Sequence, residues 1–322
     1  MKKKLFTFIT FFMLIFILAA CNKEVPSSNP KEKQDKLKVY TTIYPFEYFT
    51  QRIGGEFVSV ETIVPPGSDA HSIEVSPKKM VSLAQADAFI HSGTGLESFA
   101  DAVVDSIKNE DVAIVNATEN IDLMGSMEDS HADEENEDSQ NDHADDLDVD
   151  PHVWLDPLRS IRLAENIKNA LVKLNPEHTA EFEDNFEELK SDLETLDTGF
   201  KSMVKNADTK TFIVSHSAYG YWEDAYGLKQ VGISGISPTV EPSQKKIIEI
   251  INLVKENNLK YIYTEPNLPN KIANTIKKAT GTETLTLQNL ESLSNKDLDA
   301  NEDYFSIMNQ NLEALKKGLN ND

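Results

Sequence analysis

The chain has 322 residues and a formal charge of −23, from 54 acidic residues against 31 lysines and arginines. So acidic a protein disfavours nucleic acid and anionic lipid surfaces as partners and favours cations. Its one cysteine, Cys21, leaves no internal disulfide to make.

Lys2, Lys3 and Lys4 precede an apolar run from Leu5 to Ala20 broken only by Thr7 and Thr10. That run falls short of the ~20 residues a membrane-spanning helix needs. Residues 1–20 therefore read as a secretory signal, outside the fold. Leu18-Ala19-Ala20-Cys21 resembles a bacterial lipobox, which implies a lipidated Cys21 at the head of the mature chain, anchored in the cell membrane. Loss of the three lysines takes the charge to −26. Residues 21–36 continue as NKEVPSSNPKEKQDK after the cysteine, too polar to fold, and read as a tether. The 286 residues from Leu37 onward suffice for one large or two ordinary domains.

From Leu37 to residue 175, strands are expected at Lys38–Ile43, Phe57–Val64, Ala86–His91 and Val112–Val115. Helices are expected near Phe46–Ile53, Lys78–Gln85 and Glu97–Lys108, with Asp156 and Pro157 starting a further one. The stretch 125–150 carries two histidines, His131 and His143, among twelve acids, and Lys108 and Arg159 bracket a span without a single lysine or arginine. It reads as a disordered acidic loop, either a solubilising insertion or a weak auxiliary collector of divalent cations.

Apolar residues then recur at Phe182, Phe186, Leu189, Leu193, Leu196, Phe200 and Met203, alternating spacings of four and three. This predicts one long amphipathic helix over 176–206, with Asn175 as cap and Pro176 in first position, on the order of 45 Å long. The same spacing fits a coiled-coil seam, but α/β patterns on both sides favour a helix linking two lobes. Over 207–322, strands at Thr211–Ser215, Gln230–Ser234, Tyr261–Thr264 and Thr284–Leu287 alternate with helices near 217–226, 242–257, 269–280 and 303–318. Such alternation implies parallel sheets covered on both faces, and two lobes with a cleft between them.

Ligands of open α/β sheets bind outside the carboxyl ends of the strands. His71 lies in VPPGSDAHSIE, His152 in DVDPHVWLDP, His216 directly after the run FIVS, and Glu265 at the end of YIYT. Three imidazoles and a carboxylate are a zinc-like set. An unpaired Glu265 at a buried strand end would be costly, and a metal would remove that cost. Asp69, Glu74 and Glu241 compete for the fourth position; Asp69 and Glu74 could instead hold the ring of His71, and Glu241 reads as the residue before a helix opened by Pro242. His91 stands at best behind the site, and His178 is placed in an exposed first turn with no role.

At these residues a resemblance becomes plain. PPGSDAHSIE, DPHVWLDP, SHSAYGY, GISPTVEPS and YIYTEPNLPNKIANTIKKATG match, in order, the zinc- and manganese-specific solute-binding lipoproteins of bacterial ABC transporters. The likeness covers the chain from about Leu37 to its end. It implies an α/β fold of two Rossmann-like lobes with parallel sheets, joined by one long rigid helix with the metal site in the interlobe cleft. It further implies His71, His152, His216 and Glu265 as metal positions, and an ABC permease as the partner of a monomeric, non-enzymatic receptor. Three imidazoles favour Zn2+ over Mn2+, which prefers more carboxylate oxygen. The chain departs from many relatives in having only two histidines in its acidic loop, and it lacks the second-lobe disulfide of some. Affinity should fall as pH drops through the histidine range near ~6.5. A secreted zinc hydrolase is the rival class, but the sequence has no HExxH, although His71 and Glu74 form a short HxxE. An adhesin role known for some relatives has no signature here.

Overall fold

The computed structural model describes residues 36–125 and 149–320. The expected signal, Cys21 with its tether up to residue 35, and the auxiliary histidines His131 and His143 lie outside the described residues.

Strands β1 (Leu37–Thr41), β2 (Val58–Thr62), β3 (Ala88–His91) and β4 (Ala113–Asn116) form a parallel sheet in the order β2-β1-β3-β4. A second parallel sheet, ordered β6-β5-β7-β8, is built from β5 (Thr211–Val214), β6 (Lys229–Gly232), β7 (Tyr261–Thr264) and β8 (Glu283–Thr286). Continuous apolar runs make the central strands: Ala88, Phe89 and Ile90 are all buried, as in strands covered on both faces. Parallel neighbours need crossovers, and helices supply them. In the first lobe these are α1 (Tyr44–Gly54), α2 (Pro77–Leu83) and α3 (Ala100–Ile107). In the second they are α6 (Gly220–Tyr226), α7 (Gln244–Glu256) and α8 (Lys271–Thr280). Both sheets reverse their winding at the centre, between β1 and β3 and between β5 and β7, which opens a crevice at their carboxyl ends.

Between the sheets run α4 (Pro157–Leu174) and α5 (Thr179–Lys205); α9 (Asn295–Asp299) and α10 (Tyr304–Leu319) close the fold. The apolar stripe of α5, Phe182 to Met203, is buried throughout. It packs against α1, α4 and α10, so one long helix joins the lobes and its seam is consumed within the chain. Its start differs from the sequence expectation. Pro176 opens a single 3-10 turn, Pro176–His178, Asn175 makes no side-chain cap hydrogen bond, and the α-helix begins at Thr179. Likewise α7 starts at Gln244, capped by the Ser243 side chain, which leaves Glu241 exposed and outside the helix.

The lobes share one apolar cluster that runs from Val39 through Trp154 to Leu319. Polar contacts stitch them further. The Trp154 indole donates to Asn289 O at 2.7 Å, the Trp222 indole to Leu155 O at 2.8 Å, and the Tyr304 hydroxyl to Trp154 O at 2.7 Å.

Candidate metal centre

Each side chain of the site sits on a segment that cannot continue its helix or strand. Beyond β2, the Pro65-Pro66-Gly67 turn uses the left-handed conformation of Gly67 (φ +77°), whose N–H donates across to Leu293 O at 2.7 Å. Asp69 then caps a one-turn 3-10 helix, Ala70–Ser72, by accepting from His71 N at 3.1 Å. His152 follows Pro151 and caps the turn Val153–Leu155, which ends where the Asp156 side chain accepts from Leu158 N and Arg159 N to start α4. His216 lies two residues past β5, and Glu265 directly after β7.

A fourth segment follows β8. There Leu290, buried and bulky, holds φ +66°, a conformation a leucine adopts only when its surroundings enforce it. The turn is pinned locally by Glu291 N, which donates to Asn289 Oδ1 at 3.0 Å, and from the first lobe, where Tyr44 N donates to Glu291 O at 3.1 Å and Gly67 N to Leu293 O at 2.7 Å. The strained turn aims the Glu291 carboxylate into the centre of the cleft.

Glu291 Oε1 stands 3.2 Å from His152 Nε2, 3.8 Å from His71 Nε2 and 3.9 Å from His216 Nε2. Donor atoms of His71, His152 and Glu291 all lie within 4.8 Å of one another. A tetrahedral zinc with bonds of ~2.0–2.1 Å has ligand-to-ligand edges of about 3.3 Å, so the Glu291–His152 separation is that of such an edge, while His71 and His216 stand somewhat farther out. His152 and His216 are fully buried, and Glu291 is nearly so. Among the described residues, Nε2 of His71 and Nε2 of His216 are buried with no hydrogen-bond partner. Buried polar atoms are rarely left so, and two of them facing one carboxylate fit a cation. A cavity of about 10 Å³ adjoins the cluster, lined by Asp69, Glu265 and Glu291 and by none of the three histidines.

Behind the inner nitrogens stand two more carboxylates. His216 Nδ1 is 2.7 Å from Glu265 Oε1, and His152 Nδ1 is 2.9 Å from Asp150 Oδ1. A carboxylate on one ring nitrogen fixes the tautomer and presents the other nitrogen as the donor. Burial opposes charge on His152, but its hydrogen bonds to Asp150 and Glu291 outweigh that and hold the imidazolium up to about 9. Burial likewise opposes ionisation of Glu291, yet the hydrogen bond to His152 and the charges of the three histidines hold it down at about 2. Burial lowers His71, against the pull of Glu291.

The structure thus brings His71, His152 and His216 together, but not Glu265 with them. Glu265 touches the far nitrogen of His216, on the side away from the cluster, and the central place belongs to Glu291. The physical reason is reach: a carboxylate immediately after β7 meets the back of the neighbouring β5 end, whereas the longer excursion after β8 crosses to the first lobe. A signal for Glu291 existed in the sequence, an acid between Leu290 and Leu293 a few residues past the run Thr284–Leu287. Of the other candidates, Asp69 holds the backbone of His71, Glu74 and Glu241 are exposed, and His91 stacks on Phe89 at 5.6 Å. His178 is half-buried, stacked on Phe57 at 3.7 Å rather than free in solvent.

Two parallel sheets, a joining helix and a buried histidine-carboxylate cluster between them define a bilobed α/β protein of the solute-binding class. The family model described as "Zinc-uptake complex component A periplasmic" (ZnuA) matches residues 39–318, and the chain belongs to this family. It is 35% identical over 303 residues to "High-affinity zinc uptake system protein ZnuA" of Bacillus subtilis (strain 168), covering 94% of each chain. It is 35% identical over 293 residues to "Zinc-binding lipoprotein AdcA" of Streptococcus pneumoniae (strain ATCC BAA-255 / R6), covering 91% of this chain but only 58% of that relative. The chain therefore spans little more than half the length of the streptococcal protein. Among solved structures, the Zn(II)-bound ZnuA-like domain of Streptococcus pneumoniae AdcA is similar with a TM-score of 0.73 and 34% identity, over 88% of this chain and 99% of that one.

Proposed function

We propose that this chain is an extracytoplasmic zinc receptor that holds one Zn2+ between its lobes and delivers it to an ABC permease, tethered through a lipidated Cys21. One observation carries the reading: two buried, unpartnered imidazole nitrogens and a third imidazole surround one carboxylate oxygen at 3.2–3.9 Å, a donor set that suits zinc. The ligand set is His71, His152, His216 and Glu291, with Glu265 orienting His216 rather than binding metal. Names of the relatives agree with the cargo: one is a zinc uptake protein, another a zinc-binding lipoprotein.

Four protein donors fill a tetrahedral shell and leave no open position for the activated water a zinc hydrolase needs, which supports a receptor over an enzyme. Three nitrogens and one oxygen favour zinc over manganese. Equilibrium dialysis with elemental analysis tests this. One tightly held zinc per chain that excess manganese does not displace is expected; manganese preference, or hydrolysis of peptides or esters dependent on His216, would contradict it.

A further inference from the structure

The zinc reading leaves open what holds the carboxylate behind His152 in place. Asp150 lies at the second edge of the acidic stretch, two residues before His152, and is only 4% exposed. Its Oδ1 accepts from His152 N at 3.0 Å and meets His152 Nδ1 at 2.9 Å. Its own backbone is fixed on both sides. Asp150 N donates to Met124 O at 2.8 Å next to an antiparallel bridge between Gly125 and Val149, and Asp150 O accepts from the Tyr221 hydroxyl at 2.8 Å. The Tyr221 hydroxyl also accepts from Met124 N at 3.2 Å, so one second-lobe side chain grips both strands at the base of the acidic stretch.

The other carboxylate oxygen of Asp150 rests against α6. A Cβ placed on Gly220 would collide with Asp150 Oδ2, so any larger residue there must push the carboxylate from the position in which it meets His152. We infer that Asp150 is a positioning residue for metal binding, held in place by Gly220 and Tyr221, so that packing from the second lobe sets the aim of a first-lobe imidazole. The proposal rests on the zinc reading above. Its physical content is that a carboxylate on Nδ1 fixes the ring and strengthens Nε2 as a donor. Because the carboxylate is braced across the lobe boundary, any displacement of α6 is passed to His152 through it.

The test compares D150A, D150N, G220A and D150A/G220A with the parent by competition titration with zinc, by the visible spectrum of the cobalt-loaded protein, and by circular dichroism. D150A is expected to weaken zinc binding about 10–100-fold and to change the cobalt spectrum. D150N keeps an acceptor but not the charge and should fall between parent and D150A. G220A should weaken zinc although it touches no ligand, and the double variant should be no weaker than D150A, because both changes act through one carboxylate. Folded D150N and G220A with parental zinc affinity would overturn the proposal even if D150A fails to fold, as would full additivity in the double variant. A parent protein that takes up no zinc would instead overturn the reading beneath it.

Discussion

Glu265 and Glu291 carry the same charge and are both buried beside His216, yet the geometry separates their work. Glu291 Oε1 faces three Nε2 atoms, while Glu265 faces a single Nδ1. Glu291→Ala should therefore abolish tight zinc binding, whereas Glu265→Ala should cost about 10–100-fold, as removal of an orienting carboxylate does. Competition titration separates the two, and an equal loss in both would contradict the assignment. The pH dependence follows from the same contacts. In the metal-free protein His152 stays charged up to about 9, so zinc must displace its proton at neutral pH. Affinity should keep rising as pH climbs toward about 9, beyond the ~6.5 of an ordinary histidine. Calorimetry at neutral pH in two buffers of different protonation enthalpy should show proton release; its absence would contradict the prediction. For metal-free stability the signs oppose: the raised His152 contributes fully below ~6.5 and loses its contribution as pH rises through about 9. Glu291, held at about 2, contributes above the ordinary carboxylate range and loses it as pH falls toward 2. The histidines were legible in the sequence because strand ends and Pro-bearing turns mark where an α/β crevice places side chains. The carboxylate facing them was not: the sequence offered Glu265, with Asp69, Glu74 and Glu241 as competitors, and left out Glu291, because which turn crosses between lobes is a tertiary property.

At the scale of elements, α5 explains why the fold was readable. Its stripe from Phe182 to Met203 has helical period, and every member is buried. Every boundary of the eight strands described lies within two residues of the run that predicted it, because buried parallel strands need such runs. Boundaries failed where a turn does other work: α6 begins only at Gly220, since residues 216–219 carry His216 round the end of β5. The short α9 had no periodic signal at all; it exists because Ser294 and Asp297 form a reciprocal capping box. Leu189 is fully buried on α5, far in sequence from any ligand. Leu189→Ala should cost about 2–5 kcal/mol of unfolding free energy by chemical denaturation. It should leave zinc stoichiometry unchanged, and a loss of zinc in the folded variant would show that the helix shapes the site.

Across the whole molecule, two structural features limit how the lobes can move. An aromatic seam joins α1 to α10, where Tyr48 stacks on Tyr304 at 5.8 Å and Phe49 meets the same ring edge-on at 5.0 Å. At the cleft, backbone hydrogen bonds tie Tyr44 and Gly67 to the turn that bears Glu291. Release of metal should accordingly involve small shifts of the turns bearing the ligands, and solution scattering of the metal-free and zinc-loaded protein should give nearly equal radii; a wide opening would contradict this. Zinc at a thousandfold excess over Kd should stabilise the fold by about 4 kcal/mol. That corresponds to a rise in Tm on the order of 10 °C, readable by calorimetry. The most direct test of the central claim is anomalous diffraction at the zinc edge from crystals of the zinc-loaded protein. A single strong peak within bonding distance of Nε2 of His71, His152 and His216 and of a Glu291 oxygen is the expected result, while a peak bonded to Glu265, or one held outside this cluster, would contradict it.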